Sequence, residues 1–260
     1  FALLRLWCEQ VGFEIESARA FSALCGTLVI PATWLAASRM TGDRQVSLLA
    51  ALLVAFSPPM VFLSREARVY PLLALFAVLA TMYANDIVRT RGKQGWVGFT
   101  ITCGLLPHFH YYSFFFLAVL GCLILWGMRD SLQQTVGRLF LSYLVIALAF
   151  LPGLNLFLTQ LSIVQEVAVN SFLQTLSFPV FVFGDRTLVW KQDGVFWLGL
   201  GTLIVIVGIW LPVCIQLLKD RSAPWFAFLT SSGVFLIAVA VSGIYMSMFN
   251  ARYVSFIVPT

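Results

Sequence analysis

The chain of 260 residues is 60% hydrophobic and 10% charged, with a formal net charge of +5 and a mean hydropathy of +0.93. A soluble domain carries roughly 25% charged residues, so this chain cannot cover a water-facing surface, and a membrane-embedded protein is the class that remains. The positive charge is scattered, with no basic tract of the kind a nucleic-acid partner demands, and it reads as membrane topology.

In chain order, "FALLRLWCEQVGFEIES" (1–17) is too charged to span. Its pattern predicts an amphipathic helix lying in the membrane interface, with Leu3, Leu6, Trp7 and Val11 toward lipid. No initiator Met or signal peptide precedes it, and "RYVSFIVPT" at the other end opens a further apolar run. The expectation is a fragment lacking at least one upstream span. A hydrocarbon core about 30 Å thick needs roughly 20 apolar helical residues. Apolar runs predict eight spans near 20–38, 46–63, 70–88, 96–109, 111–128, 139–158, 194–218 and 224–242. The fold class is therefore an all-α polytopic transmembrane helical bundle. Its expected organisation is an interfacial helix at 1–17, a membrane module at 18–158, an outer loop and possible lid at 159–193, and C-terminal spans at 194–260.

Charge resolves the ambiguous stretch 96–128. Arg89, Arg91 and Lys93 precede it, and Arg129 and Arg138 follow it. If both clusters are cytoplasmic, the chain crosses an even number of times between them. Pro107-His108-Phe109-His110 then forms a tight outer turn, with proline breaking the first helix. Across the whole chain nine basic residues fall inside and seven outside. The outer ones are interspersed with acids, which marks that side as a working face.

Three outer constellations follow. "SREARVYP" (64–71) lies between two apolar runs, and Pro71 suits the first turn of the next helix. If the segment is helical, Arg65 and Arg68 share a face and repel unless an anion sits between them; phosphate fits that demand. Glu66 points elsewhere, toward Tyr70. The plain alternative has both arginines snorkelling to lipid headgroups, balanced by Glu66. "HFHYY" places His108 and His110 two apart, able to share a face only in an extended segment; an ordinary aromatic belt is the alternative. "NARYVSF" puts Arg252 and Tyr253 at the mouth of the last partial span. The five cysteines form no CxxC or Cys/His spacing and read as small buried hydrophobes, so no structural metal is expected.

The segments "ARAFSALCGTLVIPATWLAASRMTG" (18–42), "LLAALLVAFSPPMVFLSREARVYPLLALFAVLA" (48–80) and "PHFHYYSFFFLAV" (107–119) resemble the bacterial integral-membrane glycosyltransferases of the GT-C superfamily. The nearest branch is the protein-mannosyltransferase-like and aminoarabinose-transferase-like group (families 39 and 83). That group often reads R-x-x-S-A-x-x-G, then S-x-E-x-R-x-Y, then a His-aromatic turn, then R-Y before a span. All four occur here in that order.

The resemblance implies transfer of a sugar from a polyprenyl-phosphate donor to a protein, lipid or glycan acceptor, on the extracytoplasmic face of a bacterial inner membrane. Arg68 and Arg252 are the first choices to bind the departing phosphate, with Arg65, His108 and His110 behind them. Tyr70 and Tyr253 are candidates to hydrogen-bond phosphate or stack on sugar. Arg19 is placed to order the first outer loop or touch donor. The family's catalytic acid belongs to a loop upstream of residue 1, so the polypeptide alone is expected to be inactive, and Glu66 is the candidate that remains. Metal-dependent and metal-independent transfer both fit these residues. The rival readings are a transporter or lipid flippase with an outer anionic-headgroup site, and a non-catalytic membrane subunit. A transporter favours polar sites at the bilayer midplane within repeated halves, and neither feature is visible here.

Overall fold

The computed structural model describes residues 2–111, 113–164 and 229–230. Among them the chain forms eight α-helices and one short 3-10 turn: α1 Ala2–Val11, α2 Ile15–Thr41, α3 Arg44–Ala55, α4 Pro58–Arg65, α5 Tyr70–Thr90, α6 Lys93–Phe109, α7 Ser113–Gly127, the 3-10 turn Arg129–Ser131, and α8 Leu132–Val164. The all-α expectation holds. The predicted span 194–218, all of 224–242 but residues 229–230, and most of the loop 159–193 lie outside the described residues.

Helix ends follow local chemistry. Gly42 closes α2 in the left-handed region (φ 71°), its N–H donating to the Ser38 carbonyl at 2.9 Å. Asp43 then caps α3, its carboxylate accepting from the N–H groups of Gln45 (2.7 Å) and Val46 (3.3 Å). Three helices are long and apolar enough to cross a membrane: α2, α5 and the 129–159 stretch that contains most of α8. The pair α3–α4 would make a fourth, but it is bent by 52°. The span expected near 46–63 is thus a broken one. Ser57 and Pro58 start a new helix, because proline suits a first turn and lacks the N–H an interior position needs. α6 and α7, of 17 and 15 residues, rise only about 25 and 22 Å.

The N-terminal segment also differs from its expectation. α1 stops at Val11, and Gly12 (φ 123°) turns the chain into α2. Leu3, Leu6 and Val11 are exposed, as a lipid-facing stripe requires. Trp7 instead turns inward: its indole N–H donates to the Ser17 carbonyl at 2.8 Å and its ring lies 5.9 Å from that of Phe21.

α5 is the centre of the bundle. Leu73, Ala74, Ala77, Val78, Ala80, Met82, Ala84 and Ile87 along it are all within 1% of full burial, and it packs chiefly between α2 and α6. Hydrocarbon solvates leucine as well as protein does, so packing between membrane helices rests on close contact, which the alanines permit. α6 adds Phe99, Cys103 and Leu106, and α7 adds Phe116, Leu120 and Ile124. Outer faces of α3 (Leu48, Leu52, Leu53) and α8 (Phe140, Leu141, Leu148) are exposed and apolar. Tyr143 of α8 donates to the Leu117 carbonyl of α7, and Thr100 of α6 donates to Ser142 at 3.0 Å.

Polar contacts gather the helix ends. Arg39 of α2 pairs with Asp86 of α5 at 3.2 Å, and Arg89 donates to the carbonyls of Arg39 and Met40. Arg91 and Arg138 line one cleft. The clusters 89–93 and 129–138 thus share one end of the bundle, and α6 and α7 make the return trip expected of 96–128.

Adding volume at the α5 contact is expected to be destabilising. Ala77→Leu should lower stability by about 1–3 kcal/mol through overpacking, read as a lower thermal midpoint in detergent. Gly137→Ala, where an added Cβ meets nothing within 4 Å, should leave that midpoint level or raised.

Candidate active site

The segment between α4 and α5 forms the candidate site. α4 ends at Arg65, and Glu66 follows in an extended conformation (φ −82°, ψ 141°). The Arg68 N–H donates to the Glu66 carbonyl at 2.8 Å, closing a three-residue turn around Ala67. Arg65 and Arg68 therefore do not share a helical face, which corrects the spacing argument for an anion between them. Glu66 meets Arg68, with Oε2 lying 3.9 Å from Nε. The Arg68 Nη1 is 3.4 Å from the Tyr70 hydroxyl, and its guanidinium carbon is 5.9 Å from the Tyr70 ring centre. Oε2 of Glu66 is buried and accepts no hydrogen bond among the described residues.

The R-x-x-S-A-x-x-G stretch on α2 holds this turn. Ser22 is fully buried. Its hydroxyl donates to the Arg68 carbonyl at 2.7 Å and accepts from the Arg68 N–H at 3.2 Å, so both backbone groups of Arg68 are bound to one side chain. One turn further on, Gly26 lets α4 approach: a Cβ there would lie 2.0 Å from the Ser64 hydroxyl oxygen and 2.9 Å from its Cβ. Sequence reasoning chose Arg19 from this motif. Arg19 is exposed on α2, one turn before Ser22, and the two small residues make the contact. Their signal was the i, i+4 spacing of small side chains that marks close helix approach.

The histidine turn is displaced from its expected position. α6 continues through Pro107 to Phe109, and the His110 N–H closes the helix on the Leu106 carbonyl at 3.2 Å. A proline in the last turn forgoes one hydrogen bond without stopping the helix. His108 stays in the helix, exposed, its ring 5.6 Å from that of Phe150 on α8. His110 lies just after it in extended backbone, its ring 6.0 Å from that of Tyr70. The two imidazoles contact different helices. Burial lowers the His110 pKa from 6.5 to about 4, so this ring is neutral near pH 7.

Glu66, Arg68, Tyr70 and His110 are thus brought together, whereas His108 packs toward α8 and Arg65 is exposed at the end of α4. Arg252 and Tyr253 lie outside the described residues. Beyond His108, Tyr111 of the aromatic turn and Phe114 of α7 pack on Phe150 and Phe157 of α8, two residues not picked out in the sequence. Phe114 lies 5.3 Å from Phe150, and Phe157 lies 4.7 Å from Tyr111. Among the described residues no three His, Cys, Asp or Glu side chains come together in a way that could hold a metal ion.

A neutral His110 makes stability depend on pH. Its folded-state pKa is below its unfolded value, so the unfolded state binds the proton more readily at acid pH. Stability should be level above about pH 6.5 and should fall as the pH drops toward about 4. Thermal unfolding across that window should show the fall for the native chain, and His110→Gln should flatten it.

A family model described as dolichyl-phosphate-mannose-protein mannosyltransferase matches residues 1–155, which is more than half of the 260 residues. No curated protein and no solved structure matches the chain. The matched stretch contains Ser22, Gly26, Glu66, Arg68, Tyr70 and both histidines, on α2, α5 and α6 and on the turns that adjoin them. The chain belongs to this dolichyl-phosphate-mannose-protein mannosyltransferase family, and it is an integral-membrane glycosyltransferase of the GT-C type.

Proposed function

We propose that the chain transfers a sugar from a polyprenyl-phosphate donor to an acceptor hydroxyl at the extracytoplasmic surface of a bacterial inner membrane. The turn between α4 and α5 receives the donor phosphate. The observation that carries this reading is the Ser22 clamp. It fixes the backbone of Arg68, while about half of the Arg68 side-chain surface stays exposed at the end of the membrane helices. A lipid-anchored phosphate resides at that level.

In such a transfer the bond between sugar C1 and the phosphate oxygen breaks, and the acceptor oxygen bonds to C1. The acceptor proton passes to a base, and polyprenyl phosphate leaves with the added negative charge. Arg68 suits the leaving group because guanidinium stays charged and meets phosphate oxygens with a fork of donors. Tyr70 steadies the guanidinium and offers a hydroxyl to the donor. Neutral His110 offers a hydrogen bond to sugar or phosphate without adding charge. Glu66 presents the carboxylate oxygen that accepts no bond among the described residues, and it is the candidate to orient or accept the acceptor proton. Arg19, Arg65, His108, Arg252 and Tyr253 are proposed as further donor contacts. Membrane lipids surround the site, and the acceptor is a protein, lipid or glycan. A transporter reading is weaker, because the family is one of glycosyltransferases and these charges gather at a helix-end turn.

The test uses the whole protein in proteoliposomes with labelled polyprenyl-phosphate sugar. Arg68→Ala is expected to reduce transfer by about 100-fold or more, the scale of losing one donor to developing charge. Arg68→Lys should recover only part of that loss, keeping charge without the fork. Undiminished transfer by Arg68→Ala would remove the phosphate role. Ser22→Ala should lower kcat by about tenfold through a misplaced Arg68, while an unchanged kcat would make the clamp structural only.

A further inference from the structure

At the far end of α5 from Arg68, a second cluster of cations faces a cleft. α5 has 21 residues, so its ends stand about 30 Å apart. Arg91, Trp96, Ser131, Gln134, Thr135 and Arg138 line this cleft, drawn from the α5–α6 turn, the start of α6, the 3-10 turn and the start of α8.

The cleft is rich in donors and poor in negative charge. Arg91 and Arg138 are exposed, and neither forms an ion pair among the described residues. Asp86, near the end of α5, is paired with Arg39, and Asp130 is not among the lining residues. Arg91 sits in the left-handed region (φ 57°), an uncommon conformation for a residue with a side chain. Trp96 is 8% exposed, and its indole N–H is buried with no acceptor among the described residues. A buried donor left unmet is destabilising unless something supplies the acceptor. Two guanidinium groups line one cleft with a tryptophan whose buried N–H is unmet among the described residues, a set that suits a compact anion able only to accept hydrogen bonds, such as phosphate. The flanks favour a lipid as its source. Val97 and Ile101 on α6, and Leu132, Val136 and Phe140 on α8, are exposed apolar residues at i, i+4 spacing. They run along the helices away from the cleft, where acyl chains would lie.

We propose that this cleft binds the phosphodiester headgroup of an anionic glycerophospholipid at the end of the bundle opposite the transfer site. The headgroup is held by Arg91 and Arg138, with the Trp96 N–H as a third donor, and its chains lie against α6 and α8. This assignment is independent of the donor-phosphate reading of Arg68.

Native mass spectrometry of the full chain, released from micelles holding equal phosphatidylglycerol and phosphatidylcholine, tests it. Preferential retention of phosphatidylglycerol is expected. Arg91→Gln combined with Arg138→Gln should reduce that retention by about tenfold or more. Trp96→Phe, which keeps the ring and the net charge, should also weaken it. Arg44→Gln removes one positive charge from α3 outside the cleft and should leave retention unchanged. Equal losses in Arg44→Gln, or no preference over phosphatidylcholine, would overturn the site in favour of general surface charge. A further arm supplies inorganic phosphate alone. Saturation by phosphate, with no additional retention of phosphatidylglycerol, would assign the cleft to a soluble ion and overturn the lipid assignment. Thermal midpoints in phosphatidylcholine micelles identify any variant that fails to fold, and Trp96→Phe then decides the outcome.

Discussion

The burial of α5 over most of its surface is the constraint from which the arrangement of both helix ends follows. A helix in lipid gains little from hiding apolar surface, because hydrocarbon solvates that surface equally well. What holds α5 is contact distance, set by Ala74, Ala77, Ala80 and Ala84, with Leu73, Met82 and Ile87 filling the remaining space. Once α2 and α6 close on it, Tyr70 is fixed at one end and Arg91 at the other. The same packing brings Arg39 and Arg89 into reach of one another's helices. The two functional readings are therefore opposite ends of one packed rod.

At the end bearing Tyr70, magnitudes show which interaction sets the geometry. The Glu66–Arg68 pair is 3.9 Å apart, with 51% of the arginine side chain exposed. Such a pair contributes on the order of 0–1 kcal/mol. Ser22 is fully buried and makes two bonds to the Arg68 backbone, each worth about 1 kcal/mol net and more if broken without water to replace it. The backbone clamp thus outweighs the ion pair in positioning Arg68. A clamp of this kind leaves guanidinium geometry responsive to a ligand, which a tight buried salt bridge would not.

The short helices and the bend at Ser57 both shorten the path to the candidate site. α6 and α7 are too short to cross a full hydrocarbon core comfortably, and the α3–α4 pair bends at Ser57. The turn after α4 and the turn after α6 meet at the start of α5, where Glu66, Arg68, Tyr70 and His110 come together. Irregular backbone at membrane depth is tolerated where protein covers it. Here α2 provides that cover through Ser22 and Gly26.

Composition and apolar run length determined on their own that this is an all-α membrane protein, because 10% charged residues cannot solvate a globule. Charge placement determined that 96–128 is a hairpin, since the clusters on either side had to share one face. Short motifs carried enough order to point to the glycosyltransferase family. Side-chain direction was not legible. Helical spacing paired Arg65 with Arg68, but an extended Glu66 separates them. Two histidines two apart read as partners, yet one stays helical against Phe150 and the other turns to Tyr70. Pro107 read as a helix end, although the last turn can absorb a missing N–H. Only tertiary packing decided that Ser22 and Gly26, the plainest residues of their motif, hold the turn between α4 and α5. Periodicity records which residues share a helix, whereas contact between helices depends on where small side chains let backbones meet.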